Sequence, residues 1–316
     1  MAQSFLERLK SLGGVPRTIK IGALTTKTGP LDYYGTMQVR GLELGIEYAT
    51  GGSWRVAGLP IELIVEDDAG DATTAGRKAR ELIKQQGVHV LQGCVSSAAT
   101  MVVARIAEEY QRLLLVEPAA ADSITGEHLN RYVFRTAACV WQDAAAGGRY
   151  AVENLGNTFC FLAPDYIFGH QSSAAWRQVI ESHGGQTLVD VFVPADTSDF
   201  RPYLQEILDS GADVLVQSWA GAGYRELFSQ MRELGVFDRM KVSGGLGDRE
   251  ARHALGMDAV GMVGICKYSY VLPKNPVNDW LTAHHIEKHG EPPDLFTGGG
   301  FAAGIALVQA LKQTEG

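Results

Sequence analysis

Short apolar runs alternate along the chain with segments of helical periodicity. Runs rich in Val, Ile and Leu, which are typical of buried parallel strands, occupy residues 18–24, 61–68, 88–95, 113–120 and 132–137. Between the second and third runs, Ala75, Ala79, Leu82 and Ile83 recur at helical spacing, and Gly87 marks the expected helix end. Strands separated by single helices predict crossover connections and a parallel sheet.

The same alternation repeats in the second half of the chain. Its apolar runs occupy residues 158–165, 187–194, 212–219 and 240–246. Two α/β units in tandem, with no disordered linker between them, predict two lobes and a cleft. Because ligands bind beyond the carboxyl ends of strands in open parallel sheets, we expect the residues that follow each strand to line the cleft. These segments are 29–35, 93–100, 117–123, 164–169, 218–223 and 243–248.

Length and composition agree with two soluble domains. A chain of 316 residues exceeds one core of ordinary size. Apolar residues make up 46% and charged residues 20%, within the range of globular proteins. A formal net charge of −8 argues against a nucleic-acid partner, because there is no basic surplus to displace counterions from phosphates. The chain has no run of about eighteen apolar residues, so we expect no membrane span.

The N-terminus and the cysteines do not establish the cellular compartment of the protein. Residues 1–17 have no continuous apolar stretch and do not form a secretory signal. The protein is therefore expected in the cytoplasm if this start is native, or in the periplasm if a signal was removed. The cysteines contain no CxxC pair, so they predict neither a metal site nor a disulfide framework, and we expect buried free thiols.

Candidate catalytic and cofactor motifs are incomplete. Ser96 and Ser97 lack the second glycine of a GxSxG nucleophile elbow. The segment 220–226 begins like a dinucleotide fingerprint, but Glu226 stands at its third glycine position. We therefore expect no enzyme and no cofactor, and an enzyme that uses either serine remains only an alternative.

Two clusters could suggest metal binding. His285 and His289 lie one helical turn apart, without the glutamate of an HExxH motif. The segment 66–71 carries several carboxylates, but Asp71 is better interpreted as the N-cap of the following helix. We predict no metal site.

Several strand-end segments, taken in order, resemble the periplasmic branched-chain amino-acid-type solute-binding proteins of ABC importers. They are 18–49, 62–83, 93–100, 132–136 and 164–169, and the similarity extends from about Thr18 to Gln313. The resemblance implies an α/β fold of periplasmic-binding-protein type I. This fold has two Rossmann-like lobes with parallel sheets flanked by helices, joined by three crossover segments that act as a hinge.

The resemblance also implies a division of the chain. Lobe one would hold 18–136 and 249–316, lobe two 137–248, and residues 1–17 would form an N-terminal extension. The first crossover would fall near 135–137 and the second near 247–249. The family usually continues for several tens of residues beyond 307–313, which puts the third crossover in doubt and fits a truncated sequence.

In the resembling family, a helix that would start here near Ser97 points its N-terminus at the cleft and holds the ligand's carboxylate. Unpaired N–H groups and the positive end of the helix dipole favour an anion there. The expected contacts are Ser96, Ser97 and the backbone near Ala119, Ala120 and Ala121. The alternative for Ser97 is a simple helix cap.

Two departures from the family bear on the ligand. Ala121 replaces a threonine whose hydroxyl contacts the ligand, and Gly245 aligns with the acid that pairs with the ligand's ammonium. A buried ammonium without a counter-charge costs several kcal/mol, whereas one lost hydroxyl contact costs about 1 kcal/mol. A carboxylate without an ammonium is therefore favoured, unless Asp248 supplies the missing charge.

Aromatic residues at the strand ends suggest the rest of the ligand. Offset or edge contacts with a planar ligand are worth about 1 kcal/mol each, and the alternative for each residue is ordinary packing between lobes. The expected contacts are Tyr34, Trp141, Tyr166, Phe168 and Trp219, with Ala220 beside the last.

The resulting prediction is a non-catalytic, monomeric solute-binding protein. It would close around a small carboxylate, preferably an aromatic acid or a 2-oxo acid, and deliver it to the membrane permease of an ABC importer. Two alternatives are a cytoplasmic ligand-sensing regulator of the same fold and a binder of branched-chain amino acids or amides.

Overall fold

The computed structural model describes residues 18–245, 249–260 and 262–314. The expected N-terminal extension 1–17 and Asp248 lie outside these residues. Within them, the first sheet has six strands in the order β2-β3-β1-β4-β5-β6. Its strands are β1 (Ile19–Thr25), β2 (Arg55–Val56), β3 (Leu59–Asp67), β4 (Val90–Gly93), β5 (Leu113–Val116) and β6 (Val133–Arg135). The helices between them are α1 (Asp32–Ala49), α2 (Ala72–Glu81) and α3 (Ser97–Glu109).

The second sheet has five strands in the described part of the chain, in the order β11-β10-β9-β7-β8. They are β7 (Thr158–Pro164), β8 (Gln186–Val193), β9 (Val214–Gln217), β10 (Lys241–Gly245) and β11 (Val263–Ile265). The accompanying helices are α4 (Val140–Asn154), α5 (Ile167–Ser182), α6 (Arg201–Asp209), α7 (Tyr224–Glu233), α8 (Val236–Arg239) and α9 (Arg249–Leu255). Two further helices follow, α10 (Pro276–His289) and α11 (Leu295–Gln313).

Both sheets are parallel apart from the antiparallel pair β2–β3, as the alternation of strands and helices predicted. Every residue of β4 and β9 is buried. Helices cover both faces of each sheet, so these strands bury side chains on both sides. In the sequence they therefore appear as continuous apolar runs. The predicted fold class, two α/β units with flanking helices, is confirmed.

The expected second crossover near 247–249 is wrong. β11 pairs in parallel with β10 through Ser243 and Val263, so the chain as far as Ile265 belongs to the second sheet. The strand escaped prediction because it is a short, half-buried edge strand with Gly264 at its centre, and glycine weakens a strand pattern. After β11 the chain returns to the first unit, where α11 packs along α1.

The pair α1–α11 owes its close approach to glycines. A Cβ atom on Gly41 would lie 2.1 Å from the carbonyl oxygen of Thr297, and one on Gly300 would lie 2.0 Å from that of Gln38. Any larger residue would therefore force the helices apart. α11 is long and apolar enough to cross a membrane by length and composition, but its Phe301 and Val308 are buried inside the protein. The composition of α11 fits a core helix.

Local predictions for α2 are confirmed. The Asp71 carboxylate accepts a hydrogen bond from the Thr74 N–H at 2.7 Å, which makes Asp71 the N-cap. The helix continues as a π-helical turn over Leu82–Gln86 and ends at Gly87, whose φ of 69° lies in the left-handed region that glycine favours.

The four cysteines are free thiols, but they are not all buried as expected. Cys94 and Cys160 are buried, whereas Cys266 is exposed.

Candidate functional site

A cavity of about 150 Å³ lies where the carboxyl ends of the two sheets face each other. Residues that follow β1, β4 and β5 form its first-sheet side: Leu31, Tyr34, Val95, Ser97, Pro118 and Ala120. Residues at or after the strand ends form its second-sheet side: Tyr166, Phe168, Gln217, Ser218, Trp219, Ala220, Gly245 and Ile265. The strand-end rule thus finds both sides of the cavity.

Eight of the twelve residues proposed from the sequence line this cavity, and four do not. The eight are Tyr34, Ser97, Ala120, Tyr166, Phe168, Trp219, Ala220 and Gly245. The four outside its lining are Ser96, Ala119, Ala121 and Trp141.

The adjacent serines have different roles. Ser96 is the N-cap of α3, and its hydroxyl accepts a hydrogen bond from the Ala99 N–H at 3.4 Å. Ser97 begins the helix and lines the cavity, and its hydroxyl accepts from the Ala121 N–H at 3.2 Å. Capping therefore falls to Ser96, and Ser97, the first residue of α3, lines the cavity.

The backbone near Ala119–Ala121 is less available than expected. The Ala119 N–H donates to the Cys94 carbonyl at 3.3 Å, and the Ala121 N–H donates to Ser97. These bonds hold the turn after β5 against α3, so neither N–H is free for a ligand in this structure. On this side, Ser97 at the start of α3 keeps a hydroxyl hydrogen that it can donate.

Trp141 lies outside the site because of its position on α4. The buried face of this helix contains Val140, Ala144, Gly148 and Ala151 at helical spacing. Trp141 lies one position away from that face and is 41% exposed. The expectation that Trp141 contacts the ligand is not supported by this geometry.

The polar atoms of the second-sheet aromatics are already hydrogen-bonded. The Tyr166 hydroxyl donates to the Ala220 carbonyl at 2.9 Å, and the Trp219 indole donates to the Ala222 carbonyl at 3.0 Å. The Tyr224 hydroxyl donates to the Trp219 carbonyl at 2.6 Å. Burial raises the pKa of Tyr166, so the phenol stays protonated. These bonds fix the rings and leave their apolar faces to contact a ligand.

A charged pair also lines the cavity, where sequence reasoning expected no acid. The Lys267 ammonium lies 2.8 Å from the Asp143 carboxylate. Burial raises the pKa of Asp143, while Lys267 acts in the opposite direction. The premise that no carboxylate reaches the cavity is therefore wrong, but the charge of Asp143 is balanced inside the protein.

The position that aligns with the family's acid carries no side chain. Gly245 ends β10 and lines the cavity, and a Cβ atom built on it would meet no other atom within 4 Å. A methyl group at this position would therefore meet no neighbouring atom. The possible rescue by Asp248 lies outside the described residues.

A comparison with known families decides what kind of protein this is. The sequence profile of the periplasmic binding proteins matches residues 18–316. The chain belongs to the periplasmic binding protein family.

Relatives of this binding protein carry different solutes. The leucine-, isoleucine-, valine-, threonine- and alanine-binding protein of Pseudomonas aeruginosa is 24% identical over 303 residues, which is 94% of this chain and 78% of that protein. A solved ABC-type branched-chain amino acid transporter from Rhodopseudomonas palustris CGA009 is 34% identical, with a TM-score of 0.74, over 93% of this chain and 80% of that one.

A third relative was solved with an aromatic acid. The solute-binding protein of an ABC transporter from Rhodopseudomonas palustris BisB5, in complex with 3,4-dihydroxybenzoic acid, is 25% identical with a TM-score of 0.82. The match covers 95% of this chain and 82% of that one. These comparisons make the present chain a solute-binding protein of an ABC transporter, a class that binds small molecules and works with a membrane permease.

Sequence reasoning missed the charged pair of this binding protein for two reasons. Asp143 lies one turn into α4, away from any strand end, and only its spacing from Val140 could have placed it on the buried face. Lys267 follows β11, the strand that the apolar pattern did not reveal.

Within residues 18–245, 249–260 and 262–314, no group of three or more potential metal ligands comes together. The buried His285 bonds through Nδ1 to the Glu291 carbonyl at 2.7 Å. His285 therefore has a partner within the fold.

Proposed function

We propose that this protein captures a single-ring aromatic carboxylate, such as a benzoate, and delivers it from the periplasm to an ABC importer. One observation carries the proposal. Asp143 is the only acid among the described lining residues, and Lys267 already neutralises it. Because Gly245 adds no second acid, a ligand ammonium finds no free counter-charge in the cavity.

The size of the cavity supports a ligand with one ring. Its volume is about 150 Å³, and an apolar cavity of about that volume in another protein holds one benzene molecule. The faces of Phe168 and Trp219 and the ring of Tyr34 supply the apolar surroundings. Tyr34 is itself held by Phe296, with 4.4 Å between ring centroids.

The carboxylate of the ligand would lie at the first turn of α3. There the helix dipole and the unpaired N–H groups of the first turn favour an anion, and the Ser97 hydroxyl can donate a further bond. Lys267 lines the same cavity, where its ammonium is paired with Asp143. The complex of the Rhodopseudomonas palustris BisB5 relative with 3,4-dihydroxybenzoic acid supports this class of ligand.

A second candidate ligand is a branched-chain amino acid, which the Pseudomonas aeruginosa relative binds. The observation that favours it is the presence of Asp143 in the cavity lining. An ammonium could pair with Asp143 only by displacing Lys267 from its 2.8 Å contact, which leaves a partly buried cation without its partner.

Isothermal titration of the purified protein with 4-hydroxybenzoate, phenylpyruvate and leucine tests the proposal. Benzamide, which keeps the ring but lacks the charge, is the matched control ligand. We expect 4-hydroxybenzoate to bind at least tenfold more tightly than leucine or benzamide. Tighter binding of leucine would overturn the proposed function in favour of the amino-acid candidate.

A further inference from the structure

A second cavity adjoins the ligand cavity on the hinge side. It lies between the end of β5, the first crossover and the start of α11, with Glu117, Ala137, Tyr268 and Gly299 among its lining residues. Lys267 lines both cavities. One ammonium therefore lies at the boundary between the proposed ligand and the Glu117 carboxyl group.

Glu117 is tightly enclosed at this boundary. Glu117 is only 5% exposed to solvent. The Thr136 hydroxyl donates to Oε2 at 3.4 Å, a long hydrogen bond. On the other side the carboxyl packs against α11, where a Cβ atom on Gly299 would lie 2.1 Å from Oε1. Glu117 has little freedom to move toward water.

Two cations lie near Glu117 without forming an ion pair with it, and the buried Nε and Nη1 of one of them, Arg135, have no hydrogen-bond partner. Lys267, on the segment after β11, pairs with Asp143 at 2.8 Å. Arg135, at the end of β6, donates from Nη2 to the Ala121 carbonyl at 2.7 Å. The first turn of α11, residues 295–299, contains no titratable side chain. Across the part of the chain that the structure describes, Glu117 makes no ion pair within 4.0 Å.

Burial therefore dominates the protonation of Glu117. It raises the pKa of the carboxyl to about 7, although Lys267, the Thr136 hydrogen bond and Arg135 all act to lower it. A group with this pKa is partly protonated at neutral pH, so a modest change in nearby charge alters its proton occupancy.

We propose that capture of the anionic ligand is coupled to uptake of a proton by Glu117, an inference that rests on the proposed function. In the free protein, Lys267 is shared between Asp143 and the more distant Glu117. A ligand carboxylate adds a third negative group near the same ammonium, which disfavours the ionised form of Glu117. The carboxyl oxygen of Glu117 then takes a proton from the buffer, and no other bond changes.

The coupling predicts the direction in which ligand affinity changes with pH. Because the bound state holds the proton more tightly, affinity is highest below about pH 7 and falls as pH rises through the range in which the free protein loses the proton. The fall can be at most tenfold per pH unit for one coupled proton. We expect Kd to increase about fivefold between pH 6 and pH 8.

Calorimetric titration of the full chain with benzoate, whose carboxylate stays ionised over this range, provides the test. Titrations at pH 7.4 in phosphate and in Tris, which differ in ionisation enthalpy, count the protons exchanged on binding. We expect net uptake between zero and one proton per ligand, together with weaker binding at pH 8 than at pH 6. Glu117→Gln should abolish the uptake and flatten the pH profile, whereas Glu62→Gln on the exposed part of β3 should retain both.

The possible failures have different meanings. Binding of benzoate with the same heat in both buffers and no pH dependence would overturn the inference and leave the proposed function intact. Uptake that persists in Glu117→Gln would also overturn it, because another group would be the acceptor. Absence of binding at every pH would overturn the proposed function itself. The wild-type buffer comparison can overturn the inference even if the Glu117→Gln protein does not fold.

Discussion

On its first-sheet side the cavity is bordered by small residues such as Ser97 and Ala120 beside the start of α3, whereas its second-sheet side presents the rings of Tyr166, Phe168 and Trp219. The first side offers hydrogen-bond donors toward the cavity. The second has bonded its hydroxyl and indole groups to its own backbone and offers apolar faces. The start of α3 thus lies on the first-sheet side and most of the aromatic rings lie on the second, while Tyr34 adds a ring to the first side and the pair Asp143–Lys267 adds charges to the second.

This separation explains why both lobes are needed for the proposed ligand. The first side alone would hold any small anion, and the second alone any small apolar ring. A molecule that is both fills the cavity only when the lobes face each other, which fits the hinge closure typical of binding proteins.

The acids Asp143 and Glu117 give the largest contrast. Asp143 has a partner at 2.8 Å, whereas Glu117, behind the first-sheet side, has none at that distance and a pKa raised by burial to about 7. The folded protein keeps the Glu117 proton up to about pH 7, but the unfolded chain loses it near the ordinary value of 4.5. Stability therefore decreases as pH rises between these values.

Glu117→Gln should raise the free energy of unfolding at pH 8 by about 3 kcal/mol relative to wild type, and the difference should vanish at pH 4. Asp143→Asn is the matched comparison, and it should destabilise the protein by leaving Lys267 unpaired. Urea unfolding at both pH values measures the effect. Equal stability of Glu117→Gln and wild type at pH 8 would contradict this account of Glu117.

Gly245→Glu should convert the second-sheet side from neutral to acidic. Gly245 lines the cavity and a Cβ atom there meets no other atom within 4 Å, so we expect the new carboxylate to repel the ligand's carboxylate and to lower affinity for benzoate about 100-fold. Affinity for leucine should rise, because its ammonium gains a counter-charge. Gly245→Ala, which adds bulk without charge, is the control, and an equal loss in both variants would rule out an electrostatic cause.

Substitutions of the two adjacent serines should affect different properties, ligand affinity for Ser97 and protein stability for Ser96. Ser97→Ala should weaken benzoate binding about tenfold, because a hydrogen bond to a charged group is lost. Ser96→Ala should leave binding unchanged and lower the free energy of unfolding by about 1 kcal/mol, the usual cost of a lost N-cap. Calorimetry and urea unfolding distinguish the two effects, and a loss of affinity in Ser96→Ala would reverse the assignment.

Substitutions of the aromatic residues should have the smallest effect on ligand affinity. Phe168→Leu removes one ring from the cavity lining and should weaken binding by about fivefold, since one aromatic contact is worth about 1 kcal/mol. Trp141→Leu changes a larger ring on the solvent side of α4 and should have no effect. Loss of affinity in Trp141→Leu would show that closure brings this residue to the ligand.

Sequence was sufficient for most strands of the two sheets and for most of the cavity border. Continuous apolar runs identify strands that are buried on both faces, and parallel strands place their carboxyl ends together. These two rules located Ser97, Phe168, Trp219 and Gly245 without knowledge of any side-chain contact.

The remaining features depend on tertiary packing. β11 is a short edge strand, so neither its pairing nor the position of Lys267 could be read from an apolar run. Trp141 was misplaced because a single helical position turns a side chain by about 100 degrees. The N–H groups of Ala119 and Ala121 were expected to be free, but the turn after β5 bonds them to neighbouring segments.

A crystal structure of the protein with bound benzoate tests the separation of charge and ring recognition most directly. We predict one carboxylate oxygen within about 3 Å of the Ser97 hydroxyl at the start of α3, with the ring between Phe168 and Trp219. A carboxylate that points instead toward the second-sheet side, away from α3, would contradict this placement of the carboxylate and the ring.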